Sequence, residues 1–335
     1  MRDPVTGFVY PDAWVERCQD PYRLHLAEEG LAVLTASGTV LVRGYTTGTT
    51  AAAACMAAVL TTDGPPALSV PVTLPCGLVV DVPVNADGGR ATARKFAGDY
   101  PDDVTAGIEF VASVLPAAEG IQIRFGEGVG RFSRDTPRYK KDAPAVSPPA
   151  LACIEESVRE AMESAGLPGV RIELSVPEGR AVGEKTLNPR VGVLGGISIL
   201  GSTGLVEPWD DHLTESSLSR ISAARRPVLT TGRVGLRFAR LRFPEDEVIL
   251  VGGKIGESLA AVKDEAILFG LPALILRFIR PGILEGTGYG TVEELSVSPA
   301  FGPIVKETLA GFARTNPGVT VILIDREGTI IGERA

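Results

Sequence analysis

The second half of the chain alternates between short β-branched runs and helical stretches, and this alternation constrains the fold more than any other sequence feature. The predicted strands are Val191–Leu194, Pro227–Thr231, Val248–Val251, Leu274–Arg277 and Val319–Asp325. The predicted helices are Thr214–Arg226, Arg233–Arg242, Glu257–Phe269 and Pro303–Thr315. Such alternation is typical of a parallel sheet with helices on both faces. A closing antiparallel hairpin is predicted over Val319–Gly332.

The first half predicts a different mixture of elements. Residues 1–42 are predicted to form an N-terminal extension. It contains two short helices, Asp12–Arg17 and Pro21–Glu29, and a hairpin around Ser37-Gly38. After it come the predicted helices Ala51–Leu60 and Ala150–Ala165, the second opened by Pro148. Two strands joined by a Cys76-Gly77 turn are predicted over Leu68–Val84, and further strands over Ala91–Phe96, Ile121–Phe132 and Val170–Val176. The length of 335 residues indicates two domains, at about 150 residues each.

A glycine-rich stretch, NPRVGVLGGISILGSTGLVEP (Asn188–Pro208), lies at the boundary between the mixed pattern of the first half and the strand–helix alternation of the second. An apolar run that breaks into glycines is how a buried strand ends at a ligand, because glycine lets the backbone turn and approach it. Gly196–Thr203 nearly matches the phosphate-binding pattern G-x-x-x-x-G-K-[ST], but Ser202 stands in the lysine position, which disfavours a triphosphate. A plain tight turn is the alternative interpretation.

Two further stretches in the first half carry polar groups in unusual density. The run RGYTTGTT (Arg43–Thr50) precedes an alanine-rich helix and predicts either an anion site at the helix start or an ordinary cap. The loop AGDYPDDVT (Ala97–Thr105) carries three carboxylates. These carboxylates either serve an acceptor as acid–base or orienting groups, or form a solvated acidic loop.

Arginines are concentrated between Glu215 and Glu245, a stretch without acidic residues. Arg233, Arg237 and Arg240 fall on one face of a predicted helix, where they suit bidentate contacts to substrate carboxylates. A solvated helix face or an oligomer interface is the alternative, so a homo-oligomer stays open.

Composition narrows the class of protein further. The net charge of −8 argues against general nucleic-acid binding. The sequence contains neither an apolar run of 18 residues nor a signal-peptide pattern, so we expect neither a membrane span nor secretion. Four scattered cysteines indicate reduced thiols, so we expect a cytoplasmic protein. No metal site is predicted; His212 is interpreted as part of a loop and helix cap, since zinc needs several convergent donors.

Several of these stretches, in order, resemble the CbiD family, the cobalt-precorrin-5B C1-methyltransferases of anaerobic cobalamin synthesis. The matching segments are RGYTTGTTAAAA (Arg43–Ala54), AGDYPDDVT (Ala97–Thr105), GEGVGRF (Gly126–Phe132), EKTLNPRVGVLGGISILGSTGLVEP (Glu184–Pro208) and VILVGGKIGESL (Val248–Leu259). The resemblance implies methyl transfer from S-adenosylmethionine to a cobalt corrinoid. It also implies an N-terminal α+β domain (43–183) and a C-terminal Rossmann-like parallel-sheet domain (184–335).

The family motifs supply the candidate site residues. Those assigned to the S-adenosylmethionine side are Gly195, Gly196, Ser198, Gly201, Ser202, Thr203, Gly204, Gly252, Gly253, Gly256 and Glu257. Those assigned to the corrinoid side, as catalytic candidates, are Thr46, Thr47, Thr49, Asp99, Asp102 and Asp103. Arg233, Arg237 and Arg240 are the candidates for the carboxylates of the corrinoid precursor.

The region Arg277–Gly290, RFIRPGILEGTGYG, departs from the family pattern, which carries Gly-His-x-Gly-Lys and then Thr-His-Ser. The alternatives are therefore a divergent paralogue that methylates another tetrapyrrole or small molecule, and a non-catalytic corrinoid-binding protein.

Overall fold

The computed structural model describes residues 1–100, 103–135, 139–189, 191–208 and 217–334. The helices are α1 (Asp12–Arg17), α2 (Pro21–Glu28), α3 (Thr47–Leu60), α4 (Pro148–Ala165), α5 (Gly179–Gly183), α6 (Ser217–Ala223), α7 (Arg233–Arg242), α8 (Ile255–Ala260), α9 (Pro272–Ile279), α10 (Val292–Ser296) and α11 (Phe301–Thr315). The strands are β1 (Ala32–Leu34), β2 (Val40–Val42), β3 (Gly44–Tyr45), β4 (Ala67–Thr73), β5 (Val79–Asp87), β6 (Arg90–Arg94), β7 (Glu109–Pro116), β8 (Gly120–Phe125), β9 (Gly128–Val129), β10 (Arg131–Phe132), β11 (Gly169–Ser175), β12 (Val193–Leu194), β13 (Gly196–Ile197), β14 (Leu205–Val206), β15 (Val228–Thr230), β16 (Val248–Leu250), β17 (Ala266–Gly270), β18 (Val319–Ile324) and β19 (Ile330–Arg334). Helices combined with mixed sheets confirm the mixed α/β class.

Contacts along the chain divide it into two compact units. The middle unit is Val42–Asp210, and the terminal unit combines Met1–Leu41 with Asp211–Ala335. These limits differ from the predicted boundaries at 42/43 and 183/184. The difference has a pairing cause, because Ile197 pairs with Val129 and Leu205 pairs with Tyr45, which holds the glycine-rich stretch in the middle unit.

The middle unit is built around α3, whose residues from Thr47 to Val59 are all buried. It packs against α4 and against a six-stranded sheet with the order β4-β5-β6-β7-β11-β8. Alanine dominates α3, and its small side chain lets the helix approach both neighbours closely while favouring helix formation. The strand β7, which pairs with both β6 and β11, has no counterpart among the predicted strands.

The terminal unit contains a five-stranded sheet with the order β16-β15-β17-β18-β19. The first four strands are parallel, and β19 pairs antiparallel with β18 as predicted for the closing hairpin. Leu268 belongs to a core cluster shared with α9, α10 and α11. Its neighbour Phe269 instead contacts Phe243, just after α7, at 5.7 Å between ring centroids. Successive strand residues point to opposite faces, so helices cover both faces of this sheet.

The N-terminal extension is an integral part of the terminal unit. Phe8 is buried and lies 5.2 Å from Phe238 of α7, between ring centroids. Arg242 at the end of α7 stacks over Phe8 and Trp14, at 5.7 Å and 5.9 Å from the guanidinium carbon to the ring centroids. Residues 1–41 therefore complete the cover of α7.

Three predicted elements of the second half were wrong. Val193–Leu194 pairs antiparallel with Arg131–Phe132 in the middle unit, so it is not a strand of the parallel sheet. The predicted helix Glu257–Phe269 ends as α8 at Ala260 and is followed by the buried strand β17. The predicted strand Leu274–Arg277 lies inside α9, which begins at Pro272 because a proline at the first helical position loses no hydrogen bond.

Candidate functional site

The glycine-rich stretch and the threonine-rich turn before α3 form one hydrogen-bonded assembly in the middle unit. The hydroxyl of Thr47 donates to the carbonyl of Ser198 at 3.1 Å and accepts from the N–H of Leu200 at 2.8 Å. The hydroxyl of Thr49 donates to the carbonyl of Gly204 at 2.7 Å. Two motifs assigned from sequence to opposite ligands are therefore bonded directly to each other.

This assembly closes the first turn of α3. The N–H of Gly48 donates to the carbonyl of Leu200 at 2.8 Å, and the N–H of Thr49 donates to the hydroxyl of Thr46 at 3.2 Å. Thr47 and Thr49 are buried. Of the two alternatives for this helix start, these contacts favour the ordinary cap over the anion site, because the Thr47 and Thr49 hydroxyls and these N–H groups bind the protein. A catalytic role for Thr46, Thr47 and Thr49 stays a prediction.

Several of the candidate glycines serve packing inside the protein. A Cβ added at Gly201 would lie 2.6 Å from the Thr46 hydroxyl, so the protein itself excludes a side chain there. Gly204 has φ +87°, which disfavours other residues, and an added Cβ would meet the Leu74 side chain at 2.9 Å. Ser202 is exposed, and the Thr203 hydroxyl bonds the backbone of Leu205.

A pocket of about 240 Å³ lies beside the glycine pair Gly195-Gly196. Its lining residues are Arg180, Gly183, Glu184, Pro189, Val193, Leu194, Gly195 and Gly196. Gly195 is exposed, has φ +80°, and has no atom within 4 Å of the position that a Cβ would take. The backbone at Gly195 is therefore open to close approach by a ligand.

Two of the lining glycines, Gly183 and Gly196, pack backbone against backbone. A Cβ at Gly196 would fall well inside contact distance of the Gly128 carbonyl, and one at Gly183 would collide with the Gly196 carbonyl. The parallel pairing of Gly196–Ile197 with Gly128–Val129 brings these backbones together. The GEGVGRF motif of the sequence is thus the partner of the glycine-rich stretch.

Asn188 holds the loop that forms the pocket rim, a role that sequence analysis missed. Its side-chain amide donates to the carbonyl of Gly196 at 3.0 Å and accepts from the hydroxyl of Ser198 at 3.0 Å. Its own carbonyl accepts from the N–H of Val193 at 2.9 Å. The only sequence signal was its place at the head of the glycine-rich stretch.

The acidic loop lies in the same unit, and its described carboxylates bind the protein. Asp99 accepts from the N–H of Val42 at 2.9 Å and donates its own N–H to the carbonyl of Val42 at 2.9 Å. Asp103 forms a salt bridge with Lys95, and both side chains are more than nine-tenths buried. Asp102 lies outside the described residues. Catalytic roles for these carboxylates stay predictions.

Burial and pairing shift both members of the Lys95–Asp103 pair. Burial lowers the pKa of Lys95, although the hydrogen bond and charge of Asp103 oppose that change. Burial alone would raise the pKa of Asp103, but hydrogen bonds from Lys95 and Thr105 together hold that pKa below its ordinary value. The salt bridge therefore opposes the cost of burying each charge.

We expect Asp103→Asn to lower the free energy of unfolding at pH 7 by about 1–3 kcal/mol, because Lys95 then stays buried without a counter-charge. The native contribution of Asp103 is present above the unfolded carboxyl pKa and is lost as pH falls through the lowered folded pKa. Urea denaturation from pH 7 to pH 3 should therefore show a smaller loss of stability in Asp103→Asn. Equal pH slopes in both proteins would contradict this linkage.

The second glycine cluster assigned to the cofactor lies in the terminal unit. Gly252 and Gly253 follow the carboxyl end of β16, and Gly256 and Glu257 lie in the first turn of α8. No atom lies within 4 Å of a Cβ position at Gly252 or Gly253. The predicted cofactor set is thus divided between the two units, which the sequence motifs by themselves did not indicate.

The arginines predicted to bind substrate carboxylates lie on α7, which has the same bounds as its predicted helix. Arg233 is exposed, and Arg237 and Arg240 are half-buried. The Arg240 guanidinium donates to the carbonyl of Val248 at 3.5 Å. The helical spacing is confirmed, and the role in substrate binding stays a prediction.

The described residues offer no reactive thiolate at the two buried cysteines, no metal cluster and no membrane-spanning helix. Burial raises the pKa of Cys55 to about 12 and that of Cys153 to about 11, so neither thiol supplies a thiolate at neutral pH. Among the described parts of the chain, no cluster of three metal-ligating side chains occurs; His212 lies outside them. None of the helices described there is long and apolar enough to cross a membrane.

A buried ion pair connects the threonine-rich turn to the glycine-rich stretch. The Arg43 side chain is fully buried, and its Nε donates to a Glu207 carboxylate oxygen at 3.3 Å. Arg43 is the first residue of the RGYTTGTT run, and Glu207 is the last but one of the glycine-rich stretch. Sequence analysis did not single out either residue, although each lies at or next to the end of a motif.

Comparison with known proteins identifies relatives along the whole chain. The family model CbiD matches residues 34–208. A protein of Methanoregula boonei named cobalt-precorrin-5B C(1)-methyltransferase is 59% identical over 333 residues, with 99% of each chain covered. A Methanosarcina acetivorans protein of the same name is 41% identical, covering 99% of this chain and 98% of its own. The crystal structure of the cobalamin biosynthesis protein CbiD from Archaeoglobus fulgidus covers 97% of this chain and 100% of its own, at 35% identity and a TM-score of 0.57.

Proposed function

The chain belongs to the CbiD family, and from that premise we propose that it is a cobalt-precorrin-5B C1-methyltransferase of cobalamin biosynthesis. The observation that carries the proposal is identity above 40% over nearly the full length to methyltransferases of that name. The matches to these relatives cover 99% of the chain and so include Arg277–Gly290, where the sequence departs from the family pattern. The divergent-paralogue alternative therefore loses its main argument.

S-adenosylmethionine is the proposed donor, and it supplies a sulfonium methyl group to a nucleophilic carbon. The pocket beside Gly195 suits part of such a molecule. The backbone of Gly195 is open to a ligand, and the pocket lining includes one basic side chain, Arg180, and one acidic side chain, Glu184. Ser202 in the lysine position disfavours ATP. No covalent nucleophile is needed, so alignment of donor and acceptor is the main task, worth up to about 7–11 kcal/mol.

The acceptor is a polycarboxylate, and a basic segment borders the proposed donor pocket. Leu194 lines the pocket and pairs across the β10–β12 ribbon with Arg131. Arg134 follows on the same segment, and its Nε would lie 3.7 Å from a Cβ at Gly192. We assign acceptor carboxylates to this ribbon first, since charge-assisted hydrogen bonds from arginine suit carboxylates. The arginines of α7 are the second candidate.

The terminal unit is interpreted as Rossmann-like. In chain order its strands run 2-1-3-4-5, and sheets of this order bind ligands beyond the carboxyl ends of their strands. Gly252, Gly253, Gly256 and Glu257 lie beyond such an end, after β16. They remain candidates for a donor site, and Gly253→Val tests them against the pocket in the middle unit.

The test is methyl transfer by the purified protein from labelled S-adenosylmethionine to cobalt-precorrin-5B, with the product identified by mass spectrometry. We expect transfer to this acceptor, and binding of S-adenosylhomocysteine in calorimetry with much weaker binding of ATP and NAD. Arg134→Ala should raise KM for the acceptor several-fold, whereas Arg171→Ala, on the exposed face of β11, serves as the matched control. Corrinoid binding without any affinity for S-adenosylhomocysteine would instead support a non-catalytic carrier.

A further inference from the structure

The pocket beside Gly195 contains an oppositely charged pair of side chains that the motifs did not assign. Arg180 lies in α5, and Glu184 is its C-terminal cap residue, four positions later. Residues four apart on a helix are surface neighbours. Both line the pocket. Within the described residues, neither side chain has an ion pair or a side-chain hydrogen bond to the protein.

On this arrangement, and resting on the proposed function, we propose that Arg180 and Glu184 bind the zwitterionic amino-acid end of the methyl donor. The guanidinium of Arg180 binds the α-carboxylate, since its planar fork matches a carboxylate. The carboxylate of Glu184 accepts from the α-ammonium group. The open backbone at Gly195 receives the chain between these charges and the sulfonium.

The size of the pocket supports an amino-acid-sized occupant. Its volume is about 240 Å³, below the roughly 300–1,000 Å³ of pockets that hold whole drug-sized ligands. The apolar part of the lining comes from Pro189, Val193 and Leu194. A methionine-like stem between two charged ends matches that mixture of lining groups.

The charge pattern separates this occupant from the acceptor. A corrinoid precursor presents carboxylates, and Glu184 would repel them at close range, because like charges in a partly desolvated site are unfavourable. A zwitterion instead needs one positive and one negative partner side by side.

The experiment compares three ligands by calorimetry: S-adenosylhomocysteine, its decarboxylated analogue, and methylthioadenosine, which lacks the amino-acid end. For the native protein we expect at least tenfold weaker binding of both truncated ligands. In Arg180→Ala, affinity for S-adenosylhomocysteine should fall about tenfold or more, while affinity for the decarboxylated analogue stays unchanged. In Glu184→Gln, affinity for both amine-bearing ligands should fall, and that for methylthioadenosine should not.

The controls are Lys185→Ala and Glu178→Gln, which change exposed charges on the same segment but do not line the pocket. Thermal melts of each variant check that it is folded. If all variants bind S-adenosylhomocysteine as the native protein does, the assignment of Arg180 and Glu184 is overturned and the proposed function stands. If the native protein binds no S-adenosylhomocysteine, both are overturned.

Discussion

Gly196→Ala is expected to unfold much of the middle unit, with a loss on the order of 4–5 kcal/mol or more in the free energy of unfolding. The new Cβ would fall inside contact distance of the carbonyl of Gly128 and lie 2.7 Å from the nitrogen of Gly130. Both neighbours are backbone, so no flexible side chain can move aside. The β9–β13 pairing would have to separate to make room.

The adjacent Gly195→Ala is the matched control for this prediction. Its Cβ would meet no atom within 4 Å, but its φ of +80° is left-handed, so the expected cost is only about 1–2 kcal/mol. Urea denaturation and size-exclusion chromatography of both variants separate the two effects. A Gly196→Ala protein within about 1 kcal/mol of the native one would mean that this backbone stack can relax.

Arg43→Met is expected to cost about 3–5 kcal/mol, because it breaks the ion pair between a fully buried guanidinium and the partly buried Glu207. The Arg43 side chain has no exposed surface, so solvent cannot replace the lost interaction. The backbone around Arg43 is also tightly packed, since Gly98 and Gly44 have neighbouring main-chain atoms where a Cβ would lie. Calorimetric unfolding is the measurement.

Two variants show whether the ion pair itself is responsible. The double variant Arg43→Met with Glu207→Met should recover much of the lost stability, because both charges of the buried pair are then replaced together by apolar side chains. Arg94→Met breaks the exposed pair with Glu109, where the arginine side chain is 73% exposed, and should cost at most about 1 kcal/mol. Equal losses for Arg43→Met and Arg94→Met would contradict the buried-pair argument.

The sequence by itself determined the local elements whose signals lie within a few residues. The helix Arg233–Arg242 was predicted with its observed bounds, because an apolar stripe at helical spacing needs no distant partner to be recognised. The helix predicted over Ala150–Ala165 occurs as α4, which begins at Pro148 because proline fits the first helical turn. The family motifs likewise identified the glycine-rich stretch.

Short apolar runs were the elements whose type the sequence did not determine. The stretch 257–279 was predicted as a helix followed by a strand, whereas α8 ends at Ala260 and the strand β17 then precedes the helix α9. A run such as Ala266–Gly270 carries no periodicity that separates a buried strand from a buried helix. Pairing of β17 with β15 and β18 decided between them.

Only the tertiary structure decided which motifs share a site. Thr47 and Leu200 are bonded across 153 positions of sequence, and Gly196 requires glycine because of the backbone of Gly128, 68 positions earlier. Arg180 and Glu184 gained significance only when both proved to line the pocket beside Gly195. Sequence motifs record which residues are special, but close approach of distant backbones depends on strand pairing and packing, which no local pattern encodes.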